Sequence, residues 1–77
     1  MSKLPVLSGR RVVEILAKIG FYIHHQRGSH IVLKLNRPPY TRIVVPDHRE
    51  LKRGLLLAII KQAGLTREEF MKLLRDE

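Results

Sequence analysis

The most constraining stretch of this sequence is "FYIHHQRGSHIVLKL", residues 21–35, in which polar and apolar residues alternate on either side of a Gly-Ser pair. A period of two is wrong for a helix and right for two half-buried strands joined by a tight turn. Because strand side chains alternate, a slip of one residue moves every side chain to the other face. A two-residue turn at Gly28-Ser29 pairs Arg27 with His30 and sets Phe21 and Ile23 beside His30, Val32 and Lys34, a mixture of apolar and polar groups. A three-residue loop, Arg27 to Ser29, pairs Gln26 with His30 and gathers Phe21, Ile23, His25, Ile31, Leu33 and Leu35 on one side. The longer loop is therefore the expectation. Its other face carries Tyr22, His24, Gln26, His30, Val32 and Lys34, a set suited to a working surface rather than a core.

The flanking sequence supplies what such a hairpin packs against. Ser8 is a good N-cap for a helix running to Ile19, with Val12, Ile15, Leu16 and Ile19 as its inner stripe and Gly20 ending it. A proline-rich turn precedes a third strand, Thr41 to Val45, closed by Pro46. A second helix spans about Arg53 to Ala63, with Leu56, Ile59, Ile60 and Ala63 inward and Gly64 beyond it. Thr66 and Glu69 form a capping box, and Leu65 with Phe70 a hydrophobic staple, which start a short third helix. The expectation is an α+β chain in the order α-β-β-β-α with a short extra C-terminal helix and a three-stranded antiparallel sheet, its helices on one face and its other face open. Residues 1–77 read as a single domain, with a core at 8–65 and the C-terminal helix at 66–75.

Charge narrows the partners. Fifteen Lys and Arg against seven Asp and Glu give a net charge of +8. Residues 1–46 hold eight basic residues and one acidic residue, Glu14, so the excess lies toward the N-terminus. A field of this sign attracts polyanions, nucleic acid above all, through counterion release. The sequence contains no cysteine, which excludes disulfides and thiolate metal sites and suggests a cytoplasmic protein. No segment has the roughly 18 consecutive apolar residues of a membrane span, and "MSKLPVLSGRR" lacks the apolar centre of a signal peptide. A chain this short buries only about 60% of its unfolded surface, so functional groups must lie near the exterior.

The segments "GRRVVEILAKIGFYIHHQRGSHIVLK" and "IVVPDHRELKRGLLLAIIKQAGLTREEF" resemble the HicA toxins, the YcfA-like family of mRNA interferases, over roughly residues 8–71. The specific parts are Gly20-Phe21, the triplet Gly28-Ser29-His30, Val45-Pro46, and the helix from Leu51 to Leu65. The resemblance implies a fold like that of double-stranded-RNA-binding domains. It also implies RNA cleavage without a metal or other cofactor, inhibition by a HicB-type antitoxin that covers the site, and a catalytic histidine in the triplet, here His30.

RNA cleavage can use the substrate's 2′-hydroxyl as nucleophile, leaving the protein to move protons and neutralise phosphate charge. Imidazole suits this because its ordinary pKa is about 6.5. His30 is the candidate general acid or base, and Arg27 and Lys34 the candidates for holding phosphate. Gly28 permits close backbone approach, and Ser29 can donate to a phosphate oxygen. Tyr22 can stack on an unpaired base, and His24 shares the expected face of His30. His25 falls among the apolar side chains, and adjacent strand residues point to opposite faces, so His24 and His25 are not expected to share a metal ion. Two other classes fit the composition: an RNA-binding module without catalysis, and a basic module that meets an acidic protein.

Overall fold

The computed structural model describes residues 4–76, so the first three residues of the N-terminal segment lie outside it. The order is α1 (Gly9–Ala17), β1 (Phe21–Arg27), β2 (His30–Leu35), β3 (Arg42–Pro46), α2 (Arg53–Gln62) and α3 (Arg67–Arg75). The strands form one antiparallel sheet in the order β1-β2-β3. This is the α+β architecture expected, and it matches the double-stranded-RNA-binding-domain type with one helix added.

The hairpin departs from expectation in an informative way. Its turn is the two-residue one: Arg27 pairs with His30, and φ is positive at Gly28 (+58°) but not at Ser29. Glycine at the first central position is what a type II′ turn requires, and its twist matches that of the flanking strands. From the turn, the register runs Gln26 to Ile31 and His25 to Val32. A bulge then intervenes between Ile23 and His25, after which Ile23 pairs with Leu33, Tyr22 with Lys34 and Phe21 with Leu35. The extra residue, His24, shifts the far half of β1 by one place and returns Phe21 to the core, while Ile23, on the same side, stays 45% exposed at the sheet edge. Turn geometry thus wins at the tip and core burial wins at the base.

Two assignments are corrected as a result. Gln26 lies on the helix side opposite Ile31, and His25 lies on the open side opposite Val32, the reverse of what the three-residue loop predicts.

On the inner face Ile31, Leu33, Leu35, Ile43 and Val45 meet Val12, Ile15 and Leu16 of α1, Leu56, Ile59 and Ile60 of α2, and Phe70 of α3. Leu51, in the basic loop before α2, is buried there as well. Ser8 caps α1 by accepting from the Arg11 amide at 3.1 Å. The helix ends two residues short of Ile19, because the Lys18 and Ile19 amides bond three residues back and tighten the last turn. Gly20 then turns the chain at φ +104°. Thr66 and Glu69 make both bonds of the capping box, at 3.0 and 2.7 Å. At the other end of α3 the Lys18 ammonium donates to the carbonyls of Leu73 (2.6 Å) and Asp76 (3.1 Å), satisfying acceptors that the helix leaves open.

Gly9 is buried where α1 begins, and a Cβ there would overlap the Pro46 carbonyl oxygen, whereas a Cβ on Gly54 in α2 meets nothing. Gly9→Ala is expected to destabilise the fold by about 1–3 kcal/mol, as overpacked sites do. Gly54→Ala is expected to stabilise it by up to about 1 kcal/mol through helix propensity. Urea titration of both variants would check the opposite signs.

Candidate active site

The Gly28-Ser29 turn is held from both sides. Gln26 donates through Nε2 to the Gly28 carbonyl at 3.0 Å, and the Asp47 amide donates to the Ser29 carbonyl at 2.6 Å. Arg10 of α1 reaches Asp47 with two parallel bonds, Nε to Oδ1 at 3.2 Å and Nη2 to Oδ2 at 3.1 Å, and also donates to Gln26 Oε1 at 3.0 Å. Gln26 closes the ring by donating to Asp47 Oδ2 at 3.2 Å. Hydrogen bonds to Arg10 and Gln26 hold the Asp47 carboxyl below the usual carboxylate range, the Arg10 bond being the largest cause. A single exposed ion pair contributes little, but a paired fork inside a network fixes geometry. The network links α1, β1 and the end of β3 to the turn. The three-residue loop expected from the sequence sets Gln26 on the open face, whereas the two-residue turn pairs it with Ile31 and brings it to the helix side.

The turn presents His30, the first residue of β2, on the exposed open face directly opposite Arg27. Neither side chain, nor that of Ser29, bonds to another described residue. Lys34 is elsewhere. It lies four residues along β2 from His30, about 13 Å at roughly 3.3 Å per residue, between Tyr22 and Arg42 on the neighbouring strands. The candidates therefore fall into two groups, Arg27 with His30 at the turn, and Tyr22 with Lys34 and His24 at the base.

The bulge joins these groups. Around it the His24 and His25 rings meet edge to face, with centroids 5.1 Å apart and Nδ1 atoms 2.8 Å apart, and His24 also sits 6.5 Å from the Tyr22 ring. The expectation that adjacent residues point apart fails here, because a bulge suspends strict alternation. Between the two groups lies Val32, only 4% exposed yet outside the inner core cluster, so the flanking side chains of the open face cover it. The His24 pKa is lowered from its ordinary value, first by the positive charge of Lys34, then by desolvation, His25 and Arg42. The same charges oppose a bound cation, and no group of three or more His, Cys, Asp or Glu among the described residues could hold a metal ion.

A small α+β chain with helices on one side of its sheet and a basic, histidine-bearing open face on the other has the form and charge suited to meeting a polyanion. The comparison with known families is specific: residues 9–65 match the family model described as the HicA toxin of bacterial toxin-antitoxin. The chain belongs to the HicA toxin family. Membership makes it a toxin of the toxin-antitoxin kind, with an antitoxin as partner and RNA as the general target. No curated protein matched the chain. The family match contains the turn, the bulge and the network around Asp47, and ends before α3. Among the described residues no helix is long and apolar enough to cross a membrane.

Lys34→Met removes the largest cause of the lowered His24 pKa. The His24 imidazole is expected to titrate at higher pH in that variant, nearer its ordinary value, as followed by the ring proton shifts in NMR. An unchanged titration would mean that Lys34 does not act on this ring.

Proposed function

We propose that this protein is a metal-independent endoribonuclease, an mRNA interferase, that cleaves single-stranded regions of mRNA in the cytoplasm and is held inactive by a HicB-type antitoxin. The observation that carries the reading is the clamped turn. A loop fixed by Arg10, Gln26 and Asp47 offers an unpartnered imidazole, His30, beside an unpartnered guanidinium, Arg27. Rigid placement of a proton carrier next to a phosphate binder is what in-line attack by a 2′-hydroxyl needs.

In this reading Arg27 holds the scissile phosphate and neutralises the charge that it gains. His30 moves a proton to or from the reacting oxygens. Gly28 lets the RNA backbone approach, and Ser29 donates to a phosphate oxygen. Lys34 is too far from Arg27 to hold the same phosphate and binds a neighbouring one, while Tyr22 stacks on a base at that end of the face. A HicB-type antitoxin that covers the open face would block all of these groups together.

The test is cleavage of a labelled mRNA in EDTA by the parent protein and by His30→Ala, with RNA binding measured across a salt series. The parent is expected to cleave, and His30→Ala to lose about 10²-fold or more in rate while binding RNA as before. Affinity should fall with salt, with a slope of about 0.7 per phosphate contacted on a single strand. If both proteins bind RNA and neither cleaves it, the protein is a binding module and the enzyme reading is wrong.

A further inference from the structure

RNA transesterification moves two protons at two different oxygens. One leaves the 2′-hydroxyl as that oxygen attacks phosphorus, and one must reach the 5′-oxygen as its bond to phosphorus breaks. A lone His30 can serve one oxygen at a time. The geometry of the bulge supplies a second group.

Because the Nδ1 atoms of His24 and His25 are 2.8 Å apart, a single proton lies between them. One ring donates through Nδ1–H and the other accepts at Nδ1, so the two rings are locked in opposite tautomers. The donor ring is left with a lone pair on Nε2. When the pair gains a proton its charge settles on His25, because Lys34 first, then desolvation, His25 and Arg42 disfavour a cation on His24. His25 is then the donor, its Nε2 the atom that takes the proton, and neither ring bonds to any other described residue. On protonation the His25 imidazolium keeps its Nδ1–H bonded to His24, much as an orienting acceptor steadies other proton-accepting histidines.

His25 also stands in the right place. It pairs with Val32, and the next pair toward the turn on the open face is Arg27 with His30, which makes His25 and His30 diagonal cross-strand neighbours. Such neighbours are about 7–8 Å apart or slightly less at Cβ, close enough for two imidazoles to flank one phosphodiester. Arg27 lies at the same corner, and Val32 forms the covered floor between them.

We propose that His25 is the second proton-transfer group of this site, accepting the 2′-hydroxyl proton at Nε2 while His30 protonates the departing 5′-oxygen. His24 is the positioning residue that sets the His25 tautomer. The proposal rests on the ribonuclease reading above. The bond from the 2′-oxygen to phosphorus forms as its proton passes to His25, and the bond from phosphorus to the 5′-oxygen breaks as that oxygen takes a proton from His30. The products are a 2′,3′-cyclic phosphate and a 5′-hydroxyl. His25 ends as imidazolium and His30 neutral, and proton exchange with water restores both.

The test compares the parent protein with His25→Gln, His24→Ala and His30→Ala on two RNA oligonucleotides. One has the natural 5′-oxygen at the scissile bond and the other a 5′-sulfur, a leaving group that needs no proton. His25→Gln is expected to lose about 10²–10⁴-fold in rate on both substrates with RNA affinity unchanged. His30→Ala should lose as much on the oxygen substrate and recover on the sulfur one. His24→Ala should lose less and shift the acid-side limb of the pH–rate profile, which a purely structural role would leave in place. Full activity of His25→Gln, or its recovery on the sulfur substrate, overturns the assignment of His25 while leaving the ribonuclease reading intact. Failure of the parent to cleave either substrate overturns both.

Discussion

The structure turns on a conflict of register in the β1-β2 hairpin. The Gly28-Ser29 turn demands one pairing and the apolar residues at the base of β1 demand another, offset by one residue. A slip of the whole strand would satisfy either and ruin the other, since every side chain would change face. One extra residue at His24 satisfies both. The unpaired ladder position lies on an edge strand, where water can satisfy the backbone groups that the bulge leaves open.

The side chains redistributed by the turn and the bulge together build the rest of the site. Gln26, moved to the helix side, becomes the link between Arg10, Asp47 and the Gly28 carbonyl. His25, moved to the open side, meets His24 and stands diagonally from His30. The turn places Gln26 where it stiffens the loop from beneath, and the bulge assembles the histidines above it. Bulges are common beside active sites because they re-aim a side chain without disturbing the sheet around it.

Electrostatics and size act in the same direction. With a net charge of +8 and the histidines on an exposed face, the domain offers a polyanion an open surface rather than a pocket. On such a surface the placement of side chains cannot come from enclosure. It comes from a turn held by hydrogen bonds, from the contact between two imidazoles and from a guanidinium placed opposite a third. The third helix, outside the family match, closes the core through Phe70 and is tied to α1 by Lys18.

The sequence by itself determined the elements and their order. Ser8, Thr66 with Glu69, Gly20 and Gly64 mark helix ends through bonds and φ values that depend only on near neighbours, and the apolar stripes follow from periods of 3.6 and two. It also located the hairpin tip at Gly28-Ser29, though as a three-residue loop from Arg27 and not the two-residue turn observed, and, through the family resemblance, the family itself. What it could not determine was which face His25 and Gln26 occupy. They depend on the two-residue turn and the bulge that goes with it, and that pair is decided by the balance between turn geometry at one end of a strand and core burial at the other. Both weights are set only when α1 and β3 are packed against the hairpin, with Arg10 and Asp47 in place to receive Gln26.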